Sequence, residues 1–247
     1  MQAKMDKETS LIDTNSHIGY ITAELYATFA RWVAQKAVYP VKIALRDGEP
    51  IDMAAQFLHK EGIIDASDWS AVHLNAVNSV KYAYYAEDYP MNAKYLKQEG
   101  IDKDFTFVDV GVMGEIPAKL SKVGHNDIQT LFLNGRLLSN APDPKETFVP
   151  NNWRTLLEFL PKKYQRLNGE NADFAEVDGT VVPVLRPNKT LEQMCNMSFC
   201  DGLAAGLNDC LHIEALQPEY VEIFQQVVHK EKSVERARDE IEAIYKE

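Results

Sequence analysis

FTFVDVGVMGEIPAKL, residues Phe105 to Leu120, carries the densest structural signal in the chain. Phe105 to Val110 is a short apolar run, too short for a helix and bearing the β-branched Val108 and Val110, so it reads as a buried strand. Asp109 interrupts the run near its end, and Gly111 and Gly114 follow at turn spacing. Ile116 and Leu120 then fall four apart, with Pro117 tolerated in a first helical turn. The stretch predicts strand, glycine turn, helix. In open α/β sheets, ligands sit at such junctions, at the carboxyl ends of strands. A helix N-terminus there offers unpaired N–H groups to an anion such as phosphate. The plainer reading is an ordinary βα turn whose loop is fixed by an acidic residue.

A second junction of the same kind lies upstream. Val41 to Leu45 (VKIAL) reads as a strand and Arg46-Asp47-Gly48-Glu49-Pro50 as its turn. Ile51, Ala54, Ala55 and Leu58 mark a helix that stops at Gly62. Two junctions in series predict βαβ construction and a mainly parallel open sheet. Before them, Ile18, Ile21, Leu25, Phe29, Trp32 and Val33 form one face of a helix ending ahead of Tyr39-Pro40. Residues 1–15 are polar and unpatterned and read as a flexible tail.

Downstream the signal varies. Trp69 to Val80 reads as a short strand and helix, and Met91 to Gln98 as a helix with Gly100 as its stop. The tyrosines at 82, 84 and 85 read as packing. Ile128 to Leu133 is a third strand, ended by Asn134-Gly135, and residues 139–150 read as a connection. Trp153, Leu156, Leu157 and Leu160 share a helical face. Asp178-Gly179 between apolar runs is a hairpin signal. Helical patterning returns over Leu191 to Leu211, where Gly202 and Gly206 would let another element come close. From Pro218 onward, Val234, Ala237, Ile241 and Ile244 form a narrow stripe. That stripe belongs either to a helix laid on the domain or to a partner-binding surface. The expected organisation is a tail (1–15), an α/β core (16–140) and a hairpin and helical extension acting as a hood (141–247).

Composition bounds the function. The chain has 247 residues, 45% of them hydrophobic, enough for one large core. A formal net charge of -11 disfavours duplex nucleic acid, which calls for a basic stripe. No run has the length of a membrane span, and MQAKMDKETS lacks the apolar core of a secretory signal. Cys195, Cys200 and Cys210 form no C-x-x-C pair and read as reduced core thiols of a cytoplasmic protein. The histidines show no metal-ligand spacing, and nucleophile-elbow, P-loop and full dinucleotide fingerprints are all missing.

Among single residues, Arg46 stands out. A guanidinium at a strand's carboxyl end clamps phosphate or carboxylate at two points. Its plainer role is a salt bridge to Asp47, Glu49 or Asp109. Asp47 is a metal ligand or, more commonly, a helix cap. Asp109 inside an apolar run carries a desolvation cost unless paired or metal-bound. Gly48, Gly111 and Gly114 suit close backbone approach to a ligand. Glu115 with Asp109 offers two hard carboxylates for Mg²⁺ or an acid/base pair.

KIALRDGEPIDMAAQFL resembles the pyrophosphate loop of type I phosphoribosyltransferases, and FTFVDVGVMGEIPAKL that family's ribose-phosphate loop. A closer resemblance is to the phosphoribosyltransferase-like region found beside haloacid-dehalogenase-type domains in surface-polysaccharide proteins. There an aromatic helix, a strand ending in Arg-Asp-Gly and a Val-Asp-hydrophobic-Gly junction follow in this order. The resemblance implies a Rossmann-like fold binding a phosphorylated sugar or nucleotide, with glycosyl transfer as the activity. It implies that Arg46 and the loop amides stabilise pyrophosphate, and that Asp109 positions ribose hydroxyls directly or through Mg²⁺. Asp47, Gly48, Gly111, Gly114 and Glu115 would complete the ligand site. The cradle departs from the family pattern in its single acid and its lack of hydroxyl side chains. The rival expectation is therefore a binding or regulatory module that kept the fold and lost the chemistry. Whether the chain forms a homo-oligomer stays open.

Overall fold

The computed structural model describes residues 2–45, 48–74, 76–110, 115–121, 127–134, 145–149, 170–186 and 189–246; within these, 2–5, 76–79, 115, 145, 170–172 and 186 are described by their backbone alone. Its centre is a parallel sheet built from β1 (Val41–Ala44), β2 (Ser70–Val72), β3 (Phe105–Asp109), β4 (Ile128–Asn134) and β5 (Lys145–Val149), in the order β2-β1-β3-β4-β5. The run that reads as a buried strand is β3, and the upstream run is β1 beside it. β4 is buried at every position, as a central strand covered on both faces must be.

Strand alternation divides the core in two. Val41, Ile43, Val108, Leu131 and Leu133 point to one face, and Phe105, Phe107, Ile128 and Phe132 to the other. The first face carries α1 (Gln2–Ile21), α2 (Ala23–Lys36) and α3 (Glu49–Lys60), together with α7 (Thr190–Asp209), α8 (Pro218–Val228) and α9 (Val234–Tyr245). The second carries α4 (Ala76–Tyr84), α5 (Pro90–Gln98), α6 (Glu115–Leu120) and the hairpin of β6 (Glu170–Val177) and β7 (Thr180–Arg186). With helices on both faces of a parallel sheet, the fold is an open α/β fold.

Three differences from the sequence reading have physical causes. Where a tail was expected over residues 1–15, α1 runs from Gln2 and packs along α7. Asn15 is buried there, and the Ser198 hydroxyl donates to the Ile12 carbonyl at 2.8 Å. Contact in this seam is made by backbone and small side chains, so no apolar stripe marks it. Residues 139–150 were expected to be a connection only, yet 145–149 form the edge strand β5. Its Phe148 packs against both Phe29 and Trp32 at 5.6 Å. The expected hood over 141–247 is not one unit. The hairpin docks on the α5 face while α7–α9 join the core of α1–α3. The stripe from Val234 onward belongs to a helix laid on the domain, with Ala237, Ile241 and Tyr245 buried.

Smaller features follow the local chemistry. The long N-terminal helix breaks at Thr22, whose N–H is shared between the Ile18 and Gly19 carbonyls at 3.2 and 3.3 Å. Tyr82 is buried, but Tyr84 and Tyr85 are exposed. The hairpin turn has positive φ at both Asp178 (51°) and Gly179 (82°), the primed geometry that matches strand twist. Gln98 on α5 grips the hairpin through Val181, donating to its carbonyl at 3.1 Å and accepting its N–H at 2.9 Å. Phe174 stacks on Tyr95 with ring centroids 4.4 Å apart. Gly179→Ala, which puts a side chain into left-handed backbone, should cost about 1 kcal/mol in a denaturant melt. An unchanged melt would mean that the turn relaxes freely. The helix expected over Trp153 to Leu160 lies outside the described residues.

Candidate functional site

In this strand order the sheet reverses direction of growth between β1 and β3. β1 connects outward through α3 to β2, whereas the chain then crosses to the other side of β1 to form β3. The helices that follow these two neighbours, α3 and α6, lie on opposite faces, and open α/β sheets take ligands at such a reversal. Val41 pairs with Thr106, Lys42 with Phe107 and Ile43 with Val108. The chain therefore leaves β1 just past Ala44 and leaves β3 just past Asp109, side by side on one edge.

At the β1 exit, Leu45 N–H bonds the Val72 carbonyl at 2.9 Å and Gly48 N–H bonds the Ala44 carbonyl at 3.1 Å. Gly48 then caps α3, its carbonyl accepting the N–H groups of Ile51 and Asp52 at 3.0 Å. A Cβ at Gly48 would lie 2.6 Å from the Ala44 carbonyl oxygen and 2.9 Å from Ile43 Cγ2. Tight folding of the turn on its own strand thus accounts for this glycine. The first turn of α3 holds two carboxylates, Glu49 and Asp52. Glu49 is buried, at 2% exposure. Burial pushes the Asp52 carboxyl up, and the Gln56 amide donates to it at 2.7 Å. These acids complement the positive end of the α3 dipole from within the protein.

At the β3 exit, Asp109 is half-buried, and one of its oxygens accepts the Val110 N–H at 2.8 Å. Alternation places its side chain on the face of Phe105 and Phe107. α6 follows with only six residues, which gives it a weak dipole. Glu115 opens α6, and its side chain is not among those described. Arg46, Asp47, Gly111 and Gly114 lie outside the described residues. Of the expected site, the structure brings together Gly48 and Asp109 on one edge.

It also adds a residue. Asn134 ends β4, and its N–H bonds the Val110 carbonyl at 2.9 Å, directly beside the β3 exit. Its side chain is 1% exposed, and among the described residues neither its amide oxygen nor its amide nitrogen has a hydrogen-bond partner. By alternation it shares a face with Phe132, the partner of Asp109. An amide buried with both groups unmet costs stability, and such sites reward a polar occupant. Read along the chain, Asn134-Gly135 looks like turn chemistry. The missed signal was a polar residue directly after the buried apolar run Leu131 to Leu133.

Asp109 offers hard oxygen, the right donor type for Mg²⁺. Among the described residues, no group of three or more His, Cys, Asp or Glu side chains is placed to hold a metal. Cys195 and Cys210 are buried cysteines and Cys200 is a half-buried one. Burial pushes Cys200 and Cys210 up to about 12, so they are protonated and poor nucleophiles at neutral pH. Among the described residues, no helix is long and apolar enough to cross a membrane. The chain therefore presents an open α/β domain whose strand order reverses between β1 and β3. Comparison with family models, curated proteins and solved structures found no match.

Proposed function

We propose that the protein binds a phosphorylated sugar or nucleotide at the carboxyl edge between β1 and β3, in the manner of phosphoribosyltransferase-like domains. The observation that carries this reading is the reversal of strand order between β1 and β3, with Asp109 ending β3 and Arg46 following β1 in the sequence. Arg46 would clamp the phosphate or pyrophosphate, and Asp109 would accept hydroxyl hydrogens of the sugar. Mg²⁺, where it takes part, would be held by Asp109 and Glu115 and would screen phosphate from carboxylate. In glycosyl transfer, the bond from the anomeric carbon to pyrophosphate breaks as an acceptor attaches to that carbon. The positive charge that develops on the ring would lie near the Asp109 carboxylate, and the leaving charge near Arg46.

A second reading, a binding module without chemistry, is favoured by the acidic first turn of α3. Glu49 and Asp52 occupy the positive end of the helix that a phosphate would otherwise use. Melting with and without phosphoribosyl pyrophosphate and Mg²⁺ separates the two. A ligand at about 100 times its dissociation constant adds about 2.7 kcal/mol and raises the melt visibly. Arg46→Ala and Asp109→Asn should abolish that rise while leaving the unliganded melt near wild type. Stabilisation without release of pyrophosphate in the presence of candidate acceptors supports the module. No stabilisation by phosphoribosyl pyrophosphate, sugar phosphates or nucleotides sinks the ligand assignment.

A further inference from the structure

Glu24 is fully buried on α2, at the seam where α2 meets the end of α7 and the helices α8 and α9. One of its carboxylate oxygens accepts the main-chain N–H of Gln217 at 2.7 Å, the residue immediately before α8. The other lies beside the Tyr245 hydroxyl at the end of α9, and neither of those two atoms completes a hydrogen bond of ordinary geometry among the described residues. The carboxylate therefore touches both C-terminal helices, yet it is served by one firm donor. Also around it are Cys210 after α7 and Glu219 and Tyr220 on α8, with Tyr26 of its own helix acting on Tyr220. Arg31, which acts on Cys210, donates to the Leu211 carbonyl at 2.6 Å. Among the described residues, no cation offsets the charge of Glu24.

We infer that the α8–α9 pair is a charge-gated latch, held firmly on α2 while Glu24 carries its proton and loosened when that proton passes to solvent. The surfaces that part are apolar: Tyr220 and Phe224 of α8 and Ile241 of α9 are all buried in the core shared with α2. Opening them is a local event, distinct from unfolding of the sheet. Burial is the leading force on the carboxyl and pushes it up to about 7; Glu219 adds to the push, while the Gln217 N–H and Tyr245 oppose it. The sign follows from linkage. A proton held more tightly in the docked state gives docking stability that is complete below the ordinary carboxylate range. That stability is lost as pH rises through the docked value. From an ordinary value of 4.5, the opening constant should rise about tenfold between about pH 6 and about pH 8.

Native-state hydrogen exchange of the full chain tests this. Amides of Val221 to Val228 and Ala237 to Tyr245, corrected for intrinsic exchange, should open about tenfold more often at the higher pH. Amides of β3 and β4 should not follow them. Glu24→Gln keeps an acceptor for Gln217 without the charge, and its α8–α9 protection should be flat across the same range. The carboxyl carbon resonance of Glu24 in the wild-type protein gives a reading that needs no variant. A midpoint near neutrality supports the latch. A midpoint in the ordinary carboxylate range overturns it, as does wild-type exchange in α8–α9 that is flat or falls with pH.

Discussion

Gly202→Ala should lower the stability of this protein by about 3 kcal/mol, a loss of about 10 °C in the melt of a chain this size. The reason is that α1 and α7 meet backbone to backbone. A Cβ on Gly202 would intrude on the Ser16 carbonyl oxygen and lie 2.7 Å from its carbon and 3.0 Å from Ser16 Cα. All three atoms are main chain, so no side chain can swing away and the helices themselves must part. Gly19 on α1 stands in the same relation to the Phe199 carbonyl. A Cβ on Gly206, one turn along α7, would lie 2.6 Å from both the Ala23 methyl and the Tyr20 carbonyl oxygen. Alanine gains about 1 kcal/mol of helix propensity over glycine, and the expected loss is net of that gain. Gly206→Ala should cost less than Gly202→Ala, and Asn208→Ala on the exposed side of α7 should fall within about 0.5 kcal/mol of wild type. A Gly202→Ala protein that melts at or above wild type would mean that α1 does not lie on α7 as described.

Gln129→Leu is the second large effect, with a loss of about 3 kcal/mol expected from equilibrium denaturation. Gln129 is buried in β4, two residues ahead of the apolar run Leu131 to Leu133. Its side-chain oxygen accepts the Val38 N–H at 3.0 Å and the Thr106 hydroxyl at 2.9 Å, and its amide donates to the Lys36 carbonyl at 2.9 Å. Thr106 in turn accepts the Tyr39 N–H at 3.3 Å. Together β3 and β4 hold the chain between α2 and β1 and set where β1 enters the sheet. Leucine fills the space but strands these groups, each at about 1–3 kcal/mol where water cannot reach. Thr106→Val in the same background should recover part of the loss, because the two apolar residues remove a donor and its acceptor together. Additive losses would mean that Gln129 and Thr106 act independently.

These two sites also mark where reading along the chain succeeds and where it stops. β1, β3, β4, the helices that follow β1 and β3, the Asp178-Gly179 hairpin and the close approach at Gly202 and Gly206 are all legible in residue order. Each is produced by a neighbour-to-neighbour effect: apolar alternation, glycine at a turn, or missing Cβ atoms at helical spacing. The ordering of residues 2–15 is not legible. Its stabilising contacts lie on α7, almost two hundred residues away, and involve backbone and small polar groups. β5 was hidden because an edge strand needs only one buried face, and Phe148 finds that face between Phe29 and Trp32.

The candidate site divides in the same way. Asp109 and Gly48 announce themselves as an acid in an apolar run and a glycine after a strand. That their strands are adjacent, and that the sheet turns back between them, depends on how the crossovers pack. Asn134 and Glu24 gain their importance only from burial, since an amide or carboxylate in water is unremarkable and the same group without partners in a core is costly. Short-range chemistry wrote the elements of this protein; long-range packing chose their neighbours, and burial decided which polar groups carry a cost.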